Sequence, residues 1–302
     1  MSTGVLLMTY GAPGGEADLP RYLAAVRGGR AADPELVREM ARRYAAIGGS
    51  PLVARTAEQA AALERVLGDG YVAASGMRFS PPSIGDGAAA MLARGAESIV
   101  GVCMSPQWSP LLMSGYEREL RAQGERLGVP VAIAGAWHRE PAFVSCLADR
   151  VRASLASLPG AFVLLTAHSL PKRVFDAEPG YIAQLRETGE AVAAAAGLEH
   201  GRWRWAYQSA GHTQEEWLRP DLVELFPEIA ASGARDILVV PAQFLADHLE
   251  VLYDLDIAAA AQASAAGLAY HRIAMPNASL DFVRALADVA KRTVAEALGA
   301  VA

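Results

Sequence analysis

The 302-residue sequence predicts an α/β protein of two similar Rossmann-like halves, each a four-stranded parallel sheet flanked by helices. Three observations lead there. Short β-rich apolar runs alternate with longer amphipathic or Ala-rich stretches along the chain. Hydrophobic residues make up 52% and charged residues 20%, which is enough apolar material for a large core. Three sequence matches also recur in the same order in the two halves.

Strands are expected at 5–9, 71–75, 98–103 and 131–134 in the first half, and at 162–167, 204–207, 236–240 and 269–273 in the second. Each run is brief and continuously apolar, as a strand covered on both faces must be. Among the helices, Asp33-Pro34-Glu35 reads as a start signal: a capping side chain, a first-turn proline and an acid at the positive helix end.

The repeat pairs Val5-Leu-Leu-Met-Thr-Tyr10-Gly-Ala-Pro13 with Val163-Leu-Leu-Thr-Ala-His168-Ser-Leu-Pro171. It also pairs Gly95–Val100 with Gly233–Leu238, and Phe143–Asp149 with Phe282–Asp288. The offset is 158 at the first pair and 138 to 139 at the others, so the first half is expected to hold about 20 extra residues within 14–51. The halves divide as 1–156, carrying that insertion, and 157–302, with the last helix able to return to the first half.

Composition excludes several classes of function. With 27 basic against 33 acidic residues, a net charge of −6 and no basic block, the chain offers no field for nucleic acid. No run approaches the roughly 18 apolar residues of a spanning helix, so no transmembrane segment is expected. The start Met1-Ser-Thr-Gly-Val has no basic n-region, which leads us to expect a cytoplasmic protein. Cys103 and Cys146 are the two cysteines; they cannot form a disulfide framework and lack Cys-x-x-Cys spacing.

Parallel sheets place their reactive crevice at the carboxyl ends of the strands. Tyr10 and His168 leave the first strand of each half at equivalent positions, each followed three residues on by a proline that shapes the turn. An imidazole there binds a metal, accepts a proton near pH 7, or is tied to backbone in the core. A second cluster lies after the 236–240 strand, in Phe244-Leu-Ala-Asp-His-Leu-Glu-Val-Leu-Tyr-Asp-Leu-Asp256. If this stretch is helical, Glu250 and Asp254 share a face, with Asp247 three residues before. Such carboxylates attract a cation or take up protons; they also occur on plain solvated faces. A third group, Arg27-Gly-Gly-Arg30, Arg42-Arg43-Tyr44, Ile47-Gly-Gly-Ser50 and Tyr116, leaves guanidinium forks open to carboxylate or phosphate, or marks ordinary helix ends. Neither glycine cluster has the dinucleotide spacing after a strand. These groups together suit metal handling on an anionic organic substrate.

Six motifs in a fixed order carry a resemblance: Leu7-Met-Thr-Tyr10-Gly-Ala-Pro, Tyr44-x-x-Ile-Gly-Gly-Ser-Pro-Leu52, Gly76-Met-Arg-Phe, Ala167-His-Ser-Leu-Pro171, Tyr207-Gln-Ser-Ala-Gly with Trp217-Leu-x-Pro220, and Asp247-His-Leu-Glu-Val-Leu-Tyr-Asp254. Over essentially its whole length the sequence resembles the ferrochelatases, which insert Fe²⁺ into a porphyrin. The resemblance implies a chelatase-type fold around a porphyrin cleft. It implies that His168 and Glu250 bind the incoming iron and move protons. Tyr10, before the glycine, resembles the coproporphyrin kind, in which that tyrosine ligates the inserted iron. In that kind Arg27, Arg43, Tyr44, Ser50 and Tyr116 match substrate-binding residues, and four propionates give such donors their purpose.

By the same resemblance Fe²⁺ is a substrate, no cofactor is tightly bound, and two cysteines exclude the iron–sulfur cluster of some members. The expected partners are coproporphyrin III and Fe²⁺, with room for a transient contact to a downstream haem-synthesis enzyme; a monomer is expected. Trp217 is a candidate apolar wall for the macrocycle or a core residue. The sequence departs from the family where Ala258 replaces a further acid and where Phe79 replaces a polar residue. Alternatives are a protoporphyrin IX ferrochelatase, a non-catalytic porphyrin- or haem-binding protein, and a cobalt chelatase with paired histidines. For the last, His138, His248 and His271 show no equivalence to His168.

Overall fold

A computed structural model describes residues 2–211 and 215–297; Met1 and the end of the second half lie outside the described residues. Among the described residues the first sheet runs β1 (Thr3–Thr9), β2 (Tyr71–Met77), β3 (Ser98–Cys103) and β4 (Val131–Ile133), in spatial order β2-β1-β3-β4. The second runs β5 (Phe162–His168), β6 (Trp203–Gln208), β7 (Asp236–Pro241) and β8 (Ala269–Arg272), in the matching order β6-β5-β7-β8. All pairings are parallel, with Val5 opposite Ala73 and Val100, and Val163 opposite Trp203 and Leu238. The eight expected strands therefore form where the apolar runs lie, and the two halves share one topology.

Alternation along the strands sends side chains into different cores. Leu6 and Met8 face an outer layer with Ile84 and Met91 of α4 (Ile84–Ala93) and Leu120 of α5 (Pro110–Leu127). Val5 and Leu7 face inward, where Leu63 of α3 (Leu52–Leu67), Phe143 of α6 (Pro141–Ser157), Leu185 of α8 (Pro179–Ala196) and Phe282 of α11 (Leu280–Ala297) join Val163 and Leu238 of the second sheet. The inner core thus belongs to both sheets, and α11 lies against α3 and α6. Behind the second sheet, Leu164 and Ile237 pack on Phe226 of α9 (Leu222–Ala231) and Ala263 of α10 (Ala260–Ala265).

The insertion is larger than the offsets suggest. Residues 10–51 separate β1 from α3, whereas only 169–178, with α7 (Lys172–Ala177), separate β5 from α8. The net offset hides part of the difference, because the β6–α9 connection in the second half is longer than its β2–α4 counterpart. The inserted chain forms α1 (Leu19–Val26) and α2 (Pro34–Ala46), with Asp33 accepting from the Glu35 N–H and Pro34 opening the helix. Leu19, Tyr22 and Leu23 of α1 pack with Val37, Met40 and Tyr44 of α2 and with Phe79. No helix among the described residues is long and apolar enough to cross a membrane.

One expectation needs correction. The chain after β7 does not wind regularly through 244–256; a π-helix runs from Glu250 to Ala259 and continues into α10. Asp247 therefore precedes the helix and does not share the Glu250–Asp254 face. Its carboxylate bonds instead with the Asn277 amide, where Asn277 Nδ2 donates at 2.7 Å.

Candidate active site

Tyr10, His168 and the chain to Glu250 leave the carboxyl ends of β1, β5 and β7, and the Glu250 carboxylate lies against His168 and close enough for its charge to reach Tyr10. His168 closes β5. Its backbone N–H donates to Gln243 Oε1 at 2.9 Å, and Gln243 Nε2 donates to the Tyr181 hydroxyl at 2.7 Å. Its Nδ1 donates to the Ser169 carbonyl, and a carbonyl can only accept, so the neutral ring carries its lone pair on Nε2. That nitrogen lies 3.5 Å from Glu250 Oε1.

His248 is placed in the same way. Its Nδ1 donates to the Ala246 carbonyl at 2.9 Å, its ring stands edge-on to Phe244 at 4.5 Å, and its Nε2 is 3.9 Å from Glu250 Oε2. Two lone-pair nitrogens thus face one carboxylate, an arrangement that only a proton or a metal cation between them stabilises. Burial would push the Glu250 carboxyl up, but the positive charge of the His168 and His248 rings when they carry a second proton, with the His248 hydrogen bond, outweighs it and holds it at about 2. For His248 burial lowers the pKa, yet the Glu250 carboxylate raises it overall. Asp254 is raised, first by burial and then by the like charge of Glu250, with Arg43 and His168 opposing. Among the described residues no three His, Cys, Asp or Glu side chains are grouped so as to hold a metal ion by themselves.

Tyr10 is 43% exposed, and its ring meets Phe79 edge-on at 4.6 Å. The cleft walls still desolvate its phenol enough to raise its pKa; Arg78 opposes and the Glu250 charge adds to the rise. Tyr10 from the first half and Glu250 from the second therefore feel each other across the cleft. Tyr44 is raised by burial and by Glu250 as well. Arg43, one helical position before it, donates to Glu39 at 2.7 Å and across to Asp254 at 3.3 Å, with its guanidinium over the Tyr253 ring. The insertion thus reaches the π-helix through a charged contact.

The remaining expected residues are not all gathered here. Tyr116 is buried in the outer layer, with Arg78 over its ring at 5.2 Å. Arg27 is exposed at the end of α1, where its carbonyl accepts from Arg30 Nε. Ser50 lies two residues before α3 begins, its Oγ accepting from the Leu52 N–H at 3.4 Å. Trp217 lies 6.5 Å from the His168 ring, tilted by 48°.

Sequence reasoning passed over His248 and Arg78. The first enters only as a possible partner histidine of a cobalt chelatase, whereas its Asp-His-x-Glu spacing beside Glu250 is the real signal. The second lay inside the quoted Gly76-Met-Arg-Phe motif. Gly115 leaves it room: a Cβ there would sit 2.1 Å from Arg78 Nη2.

Comparison with known proteins bears on this geometry. A family model described as Ferrochelatase matches residues 2–294. The chain is 36% identical to the "Ferrochelatase" of Deinococcus radiodurans, covering 97% of this chain and 96% of that one. It is 35% identical to the "Coproporphyrin III ferrochelatase" of Bacillus subtilis (95% and 96%) and 35% identical to that of Geobacillus kaustophilus (98% and 97%). Among solved structures, SirB from Bacillus subtilis with Fe³⁺ superposes with a TM-score of 0.60 at 12% identity, covering 99% of this chain and 98% of that one. At that identity the likeness is one of fold.

Proposed function

Since the chain belongs to the ferrochelatase family, we propose that it inserts Fe²⁺ into coproporphyrin III, giving Fe-coproporphyrin III and two protons in haem biosynthesis. The observation that carries this reading is the pair of Nε2 lone pairs, on His168 and His248, turned toward Glu250. Insertion replaces two pyrrole N–H protons by one dication, so the site must hold a cation and then take up protons. Glu250, ionised across the physiological range, offsets the charge of the ion as water leaves it. The His168 Nε2 lone pair is an iron donor before transfer and a proton acceptor after it.

In this reading Tyr10, which comes from the opposite half, supplies its phenol as the axial ligand of the inserted iron. Arg27, Arg43, Tyr44, Ser50 and Tyr116 bind the substrate in this reading, and Arg43 exchanges its bond with Asp254 for a propionate. In this reading the reaction runs in the cytoplasm, in a monomer without a resident cofactor; the chain's two cysteines, both buried, fall short of a four-thiolate cluster. The product passes to a downstream haem-synthesis enzyme by transient contact.

The test supplies purified protein anaerobically with Fe²⁺ and either coproporphyrin III or protoporphyrin IX. We expect metallation of coproporphyrin III with the higher kcat/KM. Preference for protoporphyrin would overturn the substrate assignment, and failure with both would overturn the enzyme.

A further inference from the structure

Behind the cleft, a second polar network meets the segment that carries His248 and Glu250. Arg272, at the end of β8, is forked onto Asp256: Nε donates at 2.7 Å and Nη2 at 2.8 Å. Its Nη1 donates to the Ile273 carbonyl at 2.7 Å, and Nη2 also reaches Asp247 Oδ1 at 3.7 Å. Only 13% of the Arg272 side chain is exposed, against 33% of Asp256, so the guanidinium end of the fork is largely shielded from solvent.

Asp247 is gripped from its other side. Its N–H donates to Asn277 Oδ1 at 2.9 Å while Asn277 Nδ2 donates to Asp247 Oδ2 at 2.7 Å, a reciprocal pair. Asn277 holds a left-handed backbone, φ +46°, which asparagine tolerates better than most side chains, and its N–H donates to the Leu245 carbonyl at 3.0 Å. From the first half, the buried Gln59 of α3 donates through Nε2 to the carbonyls of Leu245, at 3.2 Å, and Asn277, at 3.0 Å.

The stretch from Leu245 to Asp256 is therefore pinned before His248, by Asn277 and Gln59, and again beyond Glu250, by Arg272. A π-helix closes its backbone bonds over five residues instead of four and is a rare form, so contacts from outside that hold such a stretch matter to its register. We propose that Arg272 and Asn277 are positioning residues for iron handling, holding His248 and Glu250 in register through Asp247 and Asp256. This rests on the reading that Glu250 and His248 meet the incoming ion.

The test uses a swap. Asn277→Asp keeps the shape and the acceptor for the Asp247 N–H but sets a carboxylate against Asp247 Oδ2. Adding Asp247→Asn restores a donor between the two positions. We expect Asn277→Asp to raise the KM for Fe²⁺ about tenfold, with the KM for porphyrin changed less than about twofold, and the double swap to recover to within about threefold of wild type. Affinity for Fe²⁺, read by anaerobic titration without turnover, should follow the same order. Should Asn277→Asp not fold, Arg272→Lys, which keeps the buried charge and loses the fork, carries the same expectation. An unchanged KM for Fe²⁺, equal losses for both substrates, no recovery in the swap, or misfolding of both variants would each overturn the proposal. Wild type that binds Fe²⁺ but metallates no porphyrin would instead overturn the function and leave this test readable.

Discussion

His168 Nε2 and Glu250 Oε1 face each other across 3.5 Å, with the other imidazole nitrogen already committed to the Ser169 carbonyl. Neither atom brings a proton to that gap when the imidazole is neutral, so the two act as one unit toward a cation. His168→Ala and Glu250→Gln should each lower kcat by about 100-fold or more, and the double variant should lose little beyond either single one, because residues that act as a unit are not additive. Single-turnover metallation of coproporphyrin III measures all three. Multiplied losses in the double variant would separate the roles of the two residues.

Arg43 bridges Glu39 on its own helix and Asp254 on the π-helix. A propionate must compete with those carboxylates, so its binding energy is a difference between charge-assisted bonds, each worth about 1.5–3 kcal/mol. Arg43→Ala should raise the KM for coproporphyrin III by about 10-fold or more, and that for protoporphyrin IX, with two fewer propionates, by less. Equal increases for both substrates would assign Arg43 to the Asp254 contact alone.

Much of this was legible in the sequence, for a physical reason. A strand buried on both faces must be a short apolar run, so all eight strands could be placed, and the duplicated topology followed from the repeat. The cleft followed from the strand ends that release Tyr10 and His168. What the sequence did not display was winding. Asp247, Glu250 and Asp254 fit an ordinary helical face, and only the clamp from Arg272 and Asn277, remote in sequence, shows why Asp247 turns away and His248 turns in. Arg43 likewise reads as an open fork until the fold brings Asp254, 211 residues away, within 3.3 Å.

Gly11 follows Tyr10 at φ +94°, and a Cβ there would lie 2.3 Å from Ser80 Oγ, the atom that accepts from the Ala12 N–H. Its carbonyl also accepts from the Tyr22 hydroxyl at 3.0 Å, so the turn is fixed from two sides. Gly11→Ala should cost about 2 kcal/mol or more, from left-handed strain of about 1–2 kcal/mol plus displacement of Ser80. Chemical denaturation measures the loss. Because the strain falls next to Tyr10, kcat should fall as well, whereas Gly160→Ala, where a Cβ meets nothing within 4 Å and φ is not positive, should leave kcat unchanged.

Asp281, in the first turn of α11, accepts from Arg150 Nη1 of α6 at 2.5 Å, and Arg150 also donates to Ser279 Oγ at 2.7 Å. Burial would raise the Asp281 carboxyl, but the Arg150 bond and charge outweigh it and hold it well below the ordinary value of about 3.9. A carboxyl lowered on folding stabilises above its unfolded pKa, and that contribution disappears as pH falls through the folded one. The pair should therefore contribute fully at pH 5 and above and fade below about pH 4. Asp281 is 44% exposed, so solvent screening limits the effect to about 1 kcal/mol or less. Asp281→Asn should be less stable than wild type at pH 7, and the gap should narrow as the pH falls below about 4. Thermal unfolding from pH 7 to pH 3 measures that convergence, and a constant gap would mean that packing of α11 on α6, not the charge, holds this end of the molecule.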